Sequence, residues 1–299
     1  MATRLVTLLA ALTLLGAAGA KAKGGKRLFI SADMEGVAGV VTGDQLGTTG
    51  FEYESFRGFM TEEVNAAIAA AREAGFTEFV VADSHGSMQN LRLDKLPADA
   101  QVVRGSPRPL GMMHGIDDSF DAVVFIGYHA STTNPEGVRA HTFSSATLAD
   151  VRLNGVSVTE GAWNAALAGQ FGVPVIAVSG DEAAVAEVRR LVGDVEAAVV
   201  KWPIGFHAAR TLTPEASRAA IGAAVARGLA RRATLLPYKV TSPVNVEIRF
   251  KNYRPAELLS WLPGVTRVDA HSIRVTVKDM VEAYHFLEVV TSYQPSLEP

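Results

Sequence analysis

The sequence predicts an α/β protein with a mostly parallel sheet and helices on both faces, plus a smaller C-terminal α+β domain. Short apolar runs recur along the first two thirds of the chain, and segments with helical spacing of apolar residues separate them. This alternation is typical of a parallel sheet, whose strands are buried on both faces and are nearly continuous apolar runs. Within residues 244–250 and 273–277 apolar and polar residues alternate, which is typical of half-buried strands.

The larger predicted domain spans residues 27–232. A helix is predicted from Tyr53 to Ala74, because apolar residues recur there at helical spacing and Gly75 provides the usual C-terminal stop. Asp181 is the predicted N-cap of a second helix, and Thr213 the cap of a third, with proline and glutamate in its first turn. The predicted strands of this domain are the apolar runs at 27–32, 78–82, 121–127, 173–179 and 196–202.

The smaller predicted domain spans residues 244–299. Its predicted strands are the alternating segments 244–250 and 273–277, and its helices lie near 256–261 and 279–291. Residues 233–243 lack strong periodicity and are the predicted linker.

Residues 1–20 have the pattern of a secretory signal peptide. Arg4 provides a positive start, an apolar run follows, and small residues at 18–20 suit a cleavage site. The apolar run is shorter than the roughly 20 residues that a membrane span needs. An uncleaved anchor is the alternative, but the pattern favours an exported protein, periplasmic or secreted, with no membrane contact after cleavage.

The composition narrows the classes of partner and site. The formal net charge is -3 without a long basic run, so nucleic acid is not an expected partner. The chain has no cysteine, which excludes disulfides, thiolate metal sites and cysteine nucleophiles. A metal ion would have to be held by His, Asp and Glu.

Acids and histidines follow three separate predicted strands. Asp33 and Glu35 come directly after the first strand, and their i, i+2 spacing places both side chains on one face of an extended chain. His85 follows the second strand and His129 the third. Ligands of open α/β sheets bind in the crevice beyond the carboxyl ends of the strands, so these side chains are expected to meet there.

Each of these residues has an ordinary alternative role. A single Asp after a strand is commonly a turn former or helix cap, and a single His is commonly an ordinary surface or core residue. Four of them in equivalent places favour a metal site. Two neighbouring carboxylates repel each other unless a cation lies between them, and a carboxylate can bridge two metal ions. Mixed His and carboxylate ligands suit zinc, with manganese or cobalt as substitutes.

The chain resembles the D-aminopeptidase family of dinuclear zinc peptidases, over residues 28–291. The matching motifs are Ser31-Ala32-Asp33-Met34-Glu35-Gly36, Met60-Thr61-Glu62-Glu63, Asp83-Ser84-His85, Gly127-Tyr128-His129-Ala130 and Lys278-Asp279-Met280. The resemblance implies two zinc ions per subunit, held by Asp33, Glu35, His85, His129 and Glu160, with Asp33 as the bridge. Spacing alone does not indicate Glu160, since an acid in the first turn of a helix commonly serves the helix dipole.

The resemblance also implies His141 as the catalytic residue. Its role as nucleophile, proton shuttle or oxyanion stabiliser is left open by the sequence, although a metal site that activates water favours the latter two. The loop of residues 131–137, which precedes His141, is slightly longer than in the family.

The function implied is an exported zinc-dependent aminopeptidase that hydrolyses short peptides with D-residues at the amino terminus, such as D-Ala-D-Ala. The family also implies a ring-shaped homo-oligomer, a decamer. Two alternatives remain open: another metallohydrolase, such as an amidase or phosphoesterase, or a non-catalytic periplasmic protein that binds metal or peptide. The absence of a glycine-rich phosphate loop counts against a phosphoesterase.

Overall fold

The computed structural model describes residues 25–292. The predicted signal peptide, residues 1–20, lies outside the described residues. Among those residues that are described, no helix has the length and apolar character needed to cross a membrane.

The described residues form two sheets and a set of helices. In chain order the strands are β1 (Lys26–Ala32), β2 (Phe76–Asp83), β3 (Ala100–Val103), β4 (Ala122–Tyr128), β5 (Leu148–Leu153), β6 (Val156–Ser157), β7 (Val175–Asp181), β8 (Glu196–Gly205), β9 (Ala208–Thr211), β10 (Val244–Phe250), β11 (Val265–Arg267) and β12 (Ser272–Val277). The α-helices are α1 (Tyr53–Glu73), α2 (Glu160–Gln170), α3 (Glu182–Val192), α4 (Pro214–Ala230), α5 (Tyr253–Leu259) and α6 (Met280–Ser292).

The larger sheet has the strand order β3-β2-β1-β4-β7-β8-β9. All of its neighbouring pairs are parallel except β8 and β9. From β1 the chain proceeds outward in one direction through β2 and β3, and from β4 it proceeds in the other. The crevice between the carboxyl ends of β1 and β4 is therefore the topological switch point, where open α/β sheets bind ligands.

Apolar side chains bury both faces of this sheet. On one face α1 packs over β1, β2 and β4, and α4 packs over β7 and β8, with Val64 and Ile221 fully or almost fully buried. On the other face α2, α3 and α6 form a core that includes Trp163 and Tyr284, whose rings meet edge to face at 5.9 Å. Helices thus cover both faces, and the predicted fold class is confirmed.

The smaller sheet has the order β11-β12-β10-β5-β6 and is antiparallel. Its centre is β10, in which Ile248 lies opposite Val151 of β5 on one side and opposite Ile273 of β12 on the other. The sheet therefore takes β5 and β6 from residues 148–157, within the segment predicted as the larger domain. The division into domains at 27–232 and 244–299 stays a prediction.

Most predicted elements are confirmed within a few residues. Asp181 caps α3 by accepting a hydrogen bond from Ala184 N, and Thr213 caps α4 by accepting one from Ala216 N. Five strands were not predicted, namely β3, β5, β6, β9 and β11. β3, β6, β9 and β11 have two to four residues and lie at sheet edges, where exposed residues interrupt the apolar pattern that predicts a strand. β5 has six residues and lies inside the smaller sheet, but its charged residues Asp150 and Arg152 interrupt the apolar run.

Candidate metal centre

The predicted side chains Asp33, Glu35, His85 and His129 converge at the switch point. Asp33 directly follows β1, and its backbone N donates to the carbonyl O of Ile126 in β4 at 2.8 Å. His85 follows β2, and His129 directly follows β4. The three strands are adjacent in the order β2-β1-β4, so their carboxyl ends deliver these side chains to one place.

Asp33 lies between the two histidines. Its Oδ1 is 3.4 Å from Nδ1 of His85, and its Oδ2 is 3.3 Å from Nε2 of His129. Each carboxylate oxygen therefore faces a different imidazole, as a carboxylate that bridges two cations would.

Glu35 reaches the same place because the chain turns sharply after it. Gly36 N donates to Gly127 O at 2.7 Å, and a Cβ atom on Gly36 would lie only 2.1 Å from the carbonyl O of Tyr128. Only glycine allows this close approach of two backbones. The turn leaves Oε2 of Glu35 at 2.8 Å from Nδ1 of His85.

Glu160 joins the cluster from the first turn of α2. Thr159 caps this helix by accepting a hydrogen bond from Ala162 N at 2.9 Å. Oε1 of Glu160 accepts a hydrogen bond from Phe143 N at 2.6 Å and lies 3.4 Å from Nε2 of His129. Glu160, which spacing alone did not indicate, thus lies beside His129, which spacing did indicate.

His141 lies over His129. The two imidazole rings stack with their centroids 4.0 Å apart and an angle of 10° between their planes. Nε2 of His141 is 3.8 Å from Oε1 of Glu160, and its backbone N donates to Ala130 O, which fixes the loop above β4.

Each of the three histidines directs one ring nitrogen to a backbone carbonyl. Nε2 of His85 donates to Leu46 O at 2.8 Å, Nδ1 of His129 to Ala130 O at 3.0 Å, and Nδ1 of His141 to Arg139 O at 2.8 Å. In that tautomer the second nitrogen carries a lone pair and faces the carboxylates. Metal-binding histidines in proteins are fixed by this kind of hydrogen bond.

The cluster carries more negative than positive charge. Burial lowers the pKa of His85 and His129, but the charges of Glu35 and Glu160, respectively, and hydrogen bonds with the carboxylates raise both pKa values well above the ordinary range. Burial and the neighbouring Glu35 raise the pKa of Asp33. The site therefore favours any species that adds positive charge, which is either protons on the imidazoles or a metal cation.

The donor atoms fit a divalent metal. Oδ2 of Asp33 and Nε2 of His129 are buried without a hydrogen-bond partner. A buried polar atom without a partner is costly, and a cation coordinated by both atoms would remove that cost. Among the described residues two groups bring one ligand atom from each member within 4.8 Å of one another: Asp33, Glu35 and His129, and His129, His141 and Glu160.

A sequence profile of the D-aminopeptidase family matches residues 26–289. The chain belongs to this family. It is 34% identical over 269 residues to the D-aminopeptidase of Bacillus subtilis (strain 168), a match that covers 89% of this chain and 96% of that relative. A solved structure, described as the Zn-dependent D-aminopeptidase DppA from Bacillus subtilis, a self-compartmentalizing protease, superposes with a TM-score of 0.85. It is 34% identical, and the match covers 89% of this chain and 96% of that chain.

Membership of the D-aminopeptidase family confirms the resemblance inferred from the sequence motifs. It also confirms that the chain is an enzyme of the peptidase class, since the matched relatives are named as such. The assignment of Asp33, Glu35, His85, His129 and Glu160 as ligands and of His141 as the catalytic residue stays a prediction. His141 lies close enough to Glu160 and His129 to be a ligand as well.

A cleft of about 510 Å³ opens above the cluster. Asp33, Glu35, His85, His141 and Glu160 form part of its lining, and Glu288 of α6 contributes from the C-terminal part of the chain. A cleft of this size suits a small ligand.

Asp83 supports the site indirectly. Its carboxylate accepts hydrogen bonds from the backbone N of Asn90 and Leu91, and from Nδ2 of Asn90. The same Nδ2 donates to the carbonyl O of His85 at 2.6 Å. Asp83 therefore fixes the turn that carries His85 without contacting the imidazole.

Proposed function

We propose that this chain is an exported, zinc-dependent aminopeptidase that hydrolyses short peptides, with a preference for a D-residue at the amino terminus, as in D-Ala-D-Ala. The observation that carries the proposal is the position of Asp33, whose two carboxylate oxygens face His85 and His129 separately. The description of the matched structure as a Zn-dependent D-aminopeptidase supports both the metal and the chirality of the substrate.

Two zinc ions per subunit fit the donor atoms best. Asp33 and Glu35 both lie within 3.4 Å of Nδ1 of His85, and Asp33 and Glu160 both lie within 3.4 Å of Nε2 of His129, so Asp33 would be a ligand common to both ions. Zinc, when bound there, supplies Lewis acidity toward the carbonyl of the scissile peptide bond.

His141 serves as the proton-transfer group. Its Nδ1 donates to Arg139 O, so Nε2 carries the lone pair and can accept a proton from the water whose oxygen attacks the scissile carbonyl carbon. His141 then passes this proton to the amine that leaves when the C–N bond breaks. Glu160, with Oε1 at 3.8 Å from Nε2, stabilises the positive charge that His141 gains in between.

The cleft favours short substrates with a free amino terminus. Its volume of about 510 Å³ accommodates a few residues, and its floor is acidic. A protonated amino terminus would be attracted by this charge, whereas a folded protein could not enter.

The subunits assemble into a closed, ring-shaped homo-oligomer, a decamer. The matched structure is described as self-compartmentalizing, which supports assembly of this chain as well. Large apolar side chains on and beside α5 are exposed, with Trp261 73% and Tyr253 58% accessible, and such surfaces favour burial in an interface. Export is supported by the signal pattern at residues 1–20.

The proposed function is tested with the purified protein on paired substrates. D-Ala-p-nitroanilide and L-Ala-p-nitroanilide, and the dipeptides D-Ala-D-Ala and L-Ala-L-Ala, are compared with and without a chelator. We expect turnover of the D-substrates, loss of turnover with the chelator, and recovery on adding zinc. Turnover that withstands complete removal of metal would refute the zinc mechanism, and equal turnover of both enantiomers would refute the stated preference.

A further inference from the structure

The segment of residues 35–40 carries Glu35 into the site and contains no helix or strand. Backbone groups of such a segment must find partners elsewhere when they are buried. Three of its carbonyl groups, those of Glu35, Val37 and Val40, accept hydrogen bonds from one atom, Nζ of Lys201. Nζ lies 3.2 Å from Val37 O and 2.6 Å from Val40 O.

The N–H groups of the same segment are held from other elements. Oε1 of Glu63 in α1 accepts from Ala38 N at 3.2 Å and from the hydroxyl of Ser217 in α4 at 2.6 Å. Oγ1 of Thr211 in β9 accepts from Gly39 N at 2.8 Å. Glu63 belongs to one of the motifs that mark the family resemblance, but it lies outside the metal cluster.

Lys201 is fully buried in β8. Burial lowers the pKa of its ammonium group to about 8, although the charges of Asp181 and Glu63 oppose that shift. Placing an ammonium group in the interior costs several kcal/mol unless all of its donors are satisfied. Three carbonyl oxygens match the three N–H donors of an ammonium group, so the hydrogen bonding of Lys201 is complete.

We propose that Lys201 is a positioning residue: its ammonium group fixes residues 35–40 through three carbonyl oxygens and thereby holds the carboxylate of Glu35 against the metal site. The inference rests on the proposed zinc site. The ammonium group of Lys201 holds three carbonyl groups of the turn at one point, as a bound metal cation could. Glu63 and Thr211 stabilise the same segment by accepting hydrogen bonds from the backbone N of Ala38 and Gly39.

The test is zinc affinity, measured on the metal-free full-length protein by competition with a chromophoric chelator. Lys201→Met keeps the volume of the side chain and removes the three donors. We expect its zinc affinity to fall by about 10–100-fold, the usual effect of removing a group that orients a metal ligand. Lys26→Met is the matched control, since Lys26 donates to Ala74 O from an exposed position at the amino end of β1, in the same sheet.

Hydrogen exchange separates positioning from a general loss of stability. In Lys201→Met the amides of residues 36–40 should exchange faster, while those of β4 and α2 stay protected. A variant that had lost only global stability would exchange faster everywhere. Wild-type zinc affinity in a folded Lys201→Met would overturn the inference.

A second variant covers the case in which Lys201→Met does not fold. Thr211→Val removes the acceptor for Gly39 N at the edge of the sheet, together with the hydroxyl's own hydrogen bonds to Leu212 O and Val200 O. It should also weaken zinc binding and speed exchange at residues 36–40. If Lys201→Met does not fold and Thr211→Val retains wild-type affinity and exchange, the inference is wrong. If the wild-type protein itself binds no zinc, the proposed function fails instead.

Discussion

Nε2 of His129 lies 3.3 Å from Oδ2 of Asp33, and neither atom has a hydrogen-bond partner although both are buried. The other nitrogen of His129 donates to Ala130 O, which leaves Nε2 as the atom with the lone pair. A lone pair and a carboxylate oxygen repel each other at this distance unless a proton or a metal ion lies between them. We therefore expect one bound cation to lie between Oδ2 of Asp33 and Nε2 of His129.

Replacing the shared carboxylate should remove metal and activity together. In Asp33→Asn one oxygen becomes an N–H donor, which cannot coordinate a cation, so we expect the zinc content measured by elemental analysis to fall, with turnover falling in parallel. Asp99→Asn is the control, because Asp99 pairs with Arg72 at the surface. Full zinc content in Asp33→Asn would contradict its role as the bridge.

His141→Ala should retain both zinc ions and lose most of kcat. We expect a decrease of about 10²–10⁴-fold, the usual scale for one acid–base group. The exposed His285 provides the control, and His285→Ala should behave as the wild type. Loss of zinc in His141→Ala would show that His141 is a ligand, which its position beside His129 also permits. Unchanged kcat would show that His141 is not the catalytic residue.

The stability of the metal-free protein should decrease as the pH rises above about 6.5. The pKa values of His85 and His129 are raised well above 6.5 in the folded state, so their protonation stabilises the fold fully below the unfolded pKa. That contribution is lost as the pH rises through the raised values. Bound zinc replaces the protons, so the zinc-loaded protein should lack this decrease.

Thermal unfolding across this pH range, with chelator and with zinc, measures the effect. The difference in Tm between the two forms should widen with pH, because zinc must displace protons from the imidazoles and more of the imidazoles are protonated at low pH. A constant difference would show that the imidazoles are already neutral before zinc binds.

Two threonine caps offer a matched pair of variants. Thr159 caps α2 directly before Glu160, and Thr213 caps α4 with the same hydrogen bond away from the metal cluster. Each change to alanine should lower the free energy of unfolding by about 1 kcal/mol. Only Thr159→Ala should also lower zinc affinity, since it loosens the first turn that holds Glu160. Equal zinc affinity in both variants would show that the cap does not position Glu160.

The convergence of Asp33, His85 and His129 was predictable because each follows an apolar strand, and the ends of parallel strands meet at one edge. Glu160 was not predictable from spacing, because its position at the start of a helix has a common explanation in the helix dipole. Between His141 and Glu160 the chain also forms β5 and β6 of the smaller sheet, and the sequence pattern predicted neither strand.

Lys201 illustrates another limit of the sequence. In β8 it is one residue of a strand in which buried and half-buried positions are mixed, and a lysine there is usually at the surface. Its three acceptors lie more than 160 residues earlier in the chain, so only the folded structure brings them together.

The pairing of β5 with β10 has a consequence for the order in which the enzyme forms. The chain between His141 and Glu160 is held in register by a strand that begins about 90 residues later, with Val151 opposite Ile248. While the polypeptide is being synthesised, β5 has no partner in β10 until that late strand has been made. The site therefore matures only near the end of synthesis, and a chain interrupted before residue 244 would contain every proposed ligand yet lack the strand that aligns them.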